Sequence, residues 1–245
     1  MNALEIVQQA SKTLGIENIK TIQDQINTNT QRLTGALNRA LEEVQKSNDW
    51  QELISPAHFI TNPSADNPSY IDGIDMKGYI FDSMLPSFDY FVSEYLYDNT
   101  IKRRINSIRP DGYEYDKVFK MNISFPSFTL IQNFLCFMPE IPKNHVISFF
   151  FKSKYAVYDQ SDRQYKEYFT QDTDTTLLNS QLLLRGLLWK YKCEMGFDYA
   201  EAYRDYQTYL NKVRDQDSNR RHLGNHYSLE GIPISIVRNE LGEII

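Results

Sequence analysis

Cysteine is almost missing: Cys136 and Cys193 are the only two in 245 residues, and no CxxC spacing joins them. A disulfide framework or a thiolate metal site needs more than that. The pair reads as two reduced, partly buried thiols of a protein made in a cytoplasm. Long apolar runs are missing too. The stretch from Ile147 to Phe151 is far too short to span a bilayer, which takes about 20 apolar residues. Met1 to Glu5 has neither a basic start nor an apolar core, so no signal peptide and no membrane partner are expected. Excess positive charge is lacking, since the formal net charge is -6. That argues against a sequence-reading DNA binder, which carries a basic face, while leaving DNA free to pass nearby. Catalytic signatures are missing as well: the chain has no GxSxG elbow, Walker loop, HExxH helix or GxGxxG turn. Of the four histidines, His58, His145, His222 and His226, the last two have a metal-pair spacing but no third ligand beside them. No catalytic residue, metal or cofactor is expected, and the chain reads as a non-enzyme.

Aromatic residues are plentiful, with Tyr 17 and Phe 14. Tyrosine buries area while keeping its hydroxyl hydrogen-bonded, which suits protein interfaces. It suits strands equally well. An aromatic-rimmed β core and an interface are therefore both open readings.

Helical spacing marks the two ends of the chain. Leu4, Ile6, Val7, Ala10 and Leu14 predict a first helix that stops at Gly15. Leu33, Ala36, Leu37, Ala40, Leu41 and Val44 predict a longer one. It starts between Asn27 and Thr30 and ends near Asp49, with Trp50 plugging the core beyond it. From about Leu53 to Asp159, aromatics, prolines and β-branched residues take over. Residues 62–68 form a loop by composition. Tyr90 to Tyr97 reads as one strand with Phe91, Tyr95 and Tyr97 on one face, and Pro110 to Phe119 as a short helix. Phe128–Phe137 and His145–Tyr158 are expected to pair as a hairpin across the turn at 139–144. The helical pattern then returns. Leu177, Leu178, Leu182, Leu183, Leu184, Leu187, Leu188 and Trp189 lie almost all round a helix, which implies burial on most sides. Gly186 allows close helix contact there, and Gly196 stops the helix. A last helix is expected from Asp198 to about Asp215, with Tyr199, Ala202, Tyr203, Tyr206, Leu210 and Val213 facing the core. Residues 217–222 read as a polar linker. Ile232, Ile234, Ile236 and Val237 then alternate in a tail too short for a core. They either add a strand to a neighbour or complete the chain's own sheet.

The fold class expected is α+β. An antiparallel helical bundle is built from residues 1–52 and 161–216, a β-sheet or barrel is inserted at 53–160, and an extended arm covers 217–245. The chemistry-bearing residues mostly have plain explanations. Asp172 and Asp174 precede an apolar run, which favours capping of the following helix over cation binding. Cys193 reads as a packed small side chain. Lys102-Arg103-Arg104 is the one dense basic spot. It is either a solvated loop tip or a phosphate contact, with Tyr95 and Tyr97 nearby for base stacking.

Residues 170–206 carry a recognisable pattern. Asp172-Thr173-Asp174 precedes a leucine-rich helix, then come Gly186-Leu187-Leu188-Trp189 and a lysine-rich turn. Gly196-Phe197-Asp198-Tyr199-Ala200-Glu201 follows, and Asp205-Tyr206 closes the block. This block resembles the head–tail adaptor proteins, also called gatekeepers or tail tubular proteins, of short-tailed phages. The N-terminal half is similar more loosely, through a short helix ending in Leu14-Gly15-Ile16 and a long helix closing on Trp50. The resemblance implies a structural role in the virion at the portal–tail junction, where genome ejection passes. It implies a homo-oligomeric, twelve-fold ring that binds the portal protein above and the tail nozzle or tube, and tail fibres, below. DNA would pass through its channel without specific recognition, and residues 217–245 would reach the portal or the next subunit. A tail accessory or fibre-docking protein is the alternative. A small hydrolase is the weakest reading, because no nucleophile–base pair is visible.

Overall fold

The computed structural model of the chain describes residues 1–24, 26–61, 70–71, 78–80, 87–119, 126–131 and 134–225. It is a mixed α+β protein with a curled, half-barrel sheet. Helix α1 (Ala3–Leu14) starts on a reciprocal cap: the Asn2 side chain accepts from Glu5 N–H, and the Glu5 side chain accepts from Asn2 N–H. It stops at Gly15 in the left-handed conformation (φ 68°), as its position predicts. Helix α2 (Thr28–Ser47) is capped by Asn27, whose side chain accepts from Asn29 and Thr30 N–H. Its stripe from Leu33 to Val44 is buried, and Trp50 closes the end by donating its indole N–H to Val44 O at 2.6 Å.

Strand β1 (Ile54–Ile60) opens the sheet. It continues through β2 (Tyr70–Ile71), β3 (Gly78–Ile80), β4 (Phe88–Phe91), β5 (Tyr95–Asp98) and β6 (Arg103–Ser107). Helix α3 (Pro110–Phe119) intervenes where expected, before β7 (Ser127–Ile131), β8 (Phe134–Met138) and β9 (Val146–Ser153). The order is β1-β9-β5-β6-β7-β8-β3-β2, and β4 also pairs with β9. All these pairs are antiparallel except β6 with β7. Phe59, Leu96, Ile105, Phe128, Leu135, Ile147, Phe149 and Phe151 fill the concave side.

Two β expectations are corrected. Residues 128–137 are not one strand paired with 145–158. They fold back on themselves as the β7–β8 pair, because the polar Gln132-Asn133 splits the apolar run. Strand β9 pairs instead with β1, β4 and β5. The run from Tyr90 to Tyr97 is likewise two strands, with bends at 92–94 between β4 and β5.

Beyond β9, a small sheet of β10 (Val157–Asp159), β11 (Gln164–Lys166) and β12 (Thr175–Thr176) leads to helices α4 (Ser180–Glu194) and α5 (Ala200–Asn225). Helices α1, α2, α4 and α5 share one hydrophobic core with Trp50, Val157 and Phe169. Helix α5 runs ten residues past the expected end at Asp215, and the predicted linker 217–222 is helical. Asp217 explains part of the extension. It is buried, and its carboxylate accepts from Asn48 Nδ2 and from Gln51 N–H, both at 3.1 Å. The arm expected from 217 therefore begins no earlier than residue 226. Ile232, Ile234, Ile236 and Val237 lie outside the described residues, as do His226 and the loop at 62–68.

Helix and sheet regions meet at Lys152. Its ammonium, buried on β9, donates to Asn48 O at 2.9 Å and lies 3.4 Å from Asp49 Oδ1. The Tyr90 hydroxyl donates to the same Asp49 carboxylate. A buried cation needs such partners to offset its lost hydration.

Candidate functional site

The segment 170–206 builds two connected features. The first is a polar knot under the start of α1. Asp174 is 0% exposed. Its Oδ2 accepts from the backbone N–H of Thr170 (2.7 Å) and Gln171 (2.8 Å), and its Oδ1 lies 2.7 Å from Lys166 Nζ. Lys166 also donates to Asp159 Oδ2 at 2.8 Å and to Thr170 Oγ1 at 2.7 Å. Asp172 Oδ1 accepts from Ile22 N–H at 2.7 Å. The backbone carbonyls of Asp172 and Asp174 accept from Leu4 and Ala3 N–H. The loop thus binds two orphan donors of α1 and fastens the connection between α1 and α2 at Ile22.

Capping of α4 by Asp172 or Asp174 is therefore corrected. The cap is Asn179, whose side chain accepts from Gln181 and Leu182 N–H. The aspartates come too early: residues 175–176 pair as β12 first, which delays the helix to Ser180. Sequence spacing carries no signal for Lys166 or Asp159, because the β10–β11 pairing brings these two together and Lys166 then reaches Asp174 across the fold.

The hydrogen bond from Lys166 is the largest influence on Asp159 and holds its carboxyl below the ordinary range. Burial opposes the Lys166 charge most, but hydrogen bonds to Asp159 and Asp174 outweigh it and raise that ammonium. A lowered acid contributes stability above the ordinary carboxylate value of about 4 and loses it as pH falls through the folded value. A raised base contributes below its ordinary value of about 10.4 and loses it as pH rises through the folded value. We expect the gap in urea midpoint between the parent and Lys166→Met to be widest between these limits and to narrow on both sides. A gap that stays constant across pH would remove the ion pairs from the explanation.

The second feature is the α4–α5 pair. Leu182, Leu183, Leu184, Leu187 and Tyr191 are buried on α4, and Gly186 faces Ala40 of α2 and Tyr206 of α5. Gly196 takes the left-handed conformation (φ 71°), and Phe197 N–H closes the turn on Lys192 O at 2.9 Å. Trp189 lies between the rings of Tyr203 and Tyr206, with centroids 5.1 and 5.9 Å away. Burial, with Glu43 close by, pushes the Tyr206 phenol upward.

The expected core stripe of α5 is half right. Tyr206 and Leu210 are buried, but Tyr199 and Tyr203 are 43% and 42% exposed. With Phe197, 54% exposed, they line an open groove of about 730 Å³ together with Asp198, Arg204 and Gln207. Tyr203 keeps an edge contact with Trp189 of α4, while Phe197 and Tyr199 stand before the first turn of α5. Cys193, expected to be packed, is exposed near the end of α4, whereas Cys136 is buried in the sheet.

No protein-family model matches the chain, and no curated protein matches it. Among the described residues, no group of three or more His, Cys, Asp or Glu side chains is placed to hold a metal ion. No helix among them is long and apolar enough to cross a membrane.

Proposed function

We propose that the chain is a head–tail adaptor subunit of a phage virion, assembled as a twelve-fold ring between portal and tail nozzle, with a channel through which DNA passes. The observation that carries this reading is the block 170–206, which resembles that family in sequence and divides by role in the structure. Asp172, Asp174, Gly186 and Tyr206 fix loops and helices to one another. Phe197 and Tyr199 stay at the surface, where aromatics favour protein contacts. On this reading the helices sharing the larger core form the bundle, the curled sheet is the inserted domain, and the chain after Asn225 is the arm that reaches the portal or the next subunit.

Light scattering tests the ring. The chain should gain mass well above that of a monomer when its portal is added, and a monomer with and without portal sinks the reading. Truncation tests the arm. The cut belongs after Asn225, because a cut at Ser218 would remove part of α5. Undiminished portal affinity in that truncated chain would rule the arm out.

A further inference from the structure

The convex side of the sheet carries a row of side chains that the adaptor reading does not use. Register places His58 of β1 opposite Ser148 of β9, Ser148 opposite Tyr97 of β5, and Tyr97 opposite Arg104 of β6. Residues in register share a face, so His58, Ser148, Tyr97 and Arg104 form one rung across four adjacent strands, about 14 Å wide at the usual strand spacing. The face is the outer one, because the neighbouring rung of Phe59, Ile147 and Asp98 is buried on the other side. Alongside the rung stand Tyr95, opposite Asn106, and Phe150, which is 55% exposed.

These groups are arranged as a platform. The Tyr95 and Tyr97 rings meet edge to face at 6.3 Å, and the Arg104 guanidinium lies 4.8 Å over Tyr95. Lys102 adds a cation at the hairpin tip, where it takes the left-handed conformation (φ 54°). The acid that could cancel these charges is withdrawn. Asp98 is 1% exposed, its Oδ2 lies 2.6 Å from His145 Nδ1, and its Oδ1 accepts from Thr100 and Ile101 N–H. Glu94, before Tyr95, is the exposed carboxylate of the hairpin. In a chain of net charge -6, a cationic and aromatic sheet face is matched by a ligand that offers both anions and flat rings.

We propose that this outer face binds single-stranded nucleic acid without reading its sequence. Bases stack on Tyr97 and Phe150, phosphates meet Arg104 and Lys102, and His58 and Asn106 supply hydrogen bonds on either side of Ser148, whose hydroxyl is engaged with Asn99 Oδ1. Sequence-tolerant stacking on a sheet beside a cationic track is the general solution for single strands. The proposal is independent of the adaptor reading, since it needs neither ring nor portal.

The test uses the full chain and a labelled oligothymidylate of about 20 nucleotides, followed by fluorescence anisotropy at several salt concentrations. Binding should be measurable at low salt and stronger than for a duplex of equal length. Tyr97→Phe should bind as the parent does, while Tyr97→Ala and Tyr97→Val should each bind about tenfold more weakly. Arg104→Gln should flatten the slope of log affinity against log salt by about 0.7. Thermal melts by circular dichroism identify any variant that fails to fold, and Arg104→Gln, at an exposed position, keeps the test decisive in that case. No binding at low salt overturns the proposal. So does an unchanged affinity in both Tyr97→Ala and Tyr97→Val. Displacement of the oligonucleotide by polyglutamate at equal charge concentration would overturn it in favour of an acidic protein partner.

Discussion

Asp174→Ala lowers the stability of the chain by about 3–5 kcal/mol, read as a large drop in urea midpoint. The size follows from what one carboxylate does. It satisfies two backbone N–H groups in a loop that has no helix or strand to satisfy them, and it balances a half-buried ammonium. Removing one partner of such a pair costs more than the pair contributes, because the remaining charge and donors stay desolvated. The damage should spread to α1, whose first donors are bound by the same loop. Thr173→Ala, at the exposed position between the two aspartates, should shift stability by no more than about 0.5 kcal/mol. Equal midpoints for Asp174→Ala and Thr173→Ala would mean that the knot contributes nothing.

Gly186→Val destabilises by about 3 kcal/mol through overpacking. A Cβ at this position would stand 2.9 Å from Ala40 Cβ and 3.4 Å from Tyr206 Cε2. Neither neighbour is the end of a flexible chain, so the helices must part. Gly186→Ala sets two effects against each other. Alanine gains about 1 kcal/mol in helix propensity over glycine, while the contact with Ala40 costs more. The pair Ala40→Gly with Gly186→Ala should recover most of the loss, because the methyl group moves from one helix to the other. A strictly additive double-mutant cycle would show that the close approach is not what the glycine is for.

The helices were legible because their evidence is local. Gly15 and Asn27 sit where caps belong, and the stripe from Leu33 to Val44 repeats at helical steps. The strand partners were not legible, because alternation says which side chains share a face and nothing about which strand lies alongside. Strand β9 looked like half of a hairpin with the preceding apolar run, yet it pairs with three strands from earlier in the chain. Asp172 and Asp174 show the same limit at smaller scale. A carboxylate before a leucine run suggests a cap, but β12 intervenes and both residues bind segments far away in sequence. Tyr199 and Tyr203 had the spacing of a core stripe. Yet both stay exposed, Tyr203 with one edge against Trp189 of α4. For the candidate site, then, the sequence located the block 170–206, and tertiary packing sorted its residues into fasteners and surface.

The length of α5 has a mechanical consequence. At 26 residues it is a rod of about 39 Å. The exposed ring of Tyr199 stands just before it and that of Tyr203 in its first turn, Tyr206 and Leu210 are buried further along, and Asp217 ties it to the end of α2. Asp217 therefore couples the rod, through Asn48 and Gln51, to the junction where Lys152 joins the sheet. A load carried along this rod thus reaches the helical core and the sheet through the same few bonds, from Asp217 to Asn48 and Gln51 and from Lys152 to Asn48.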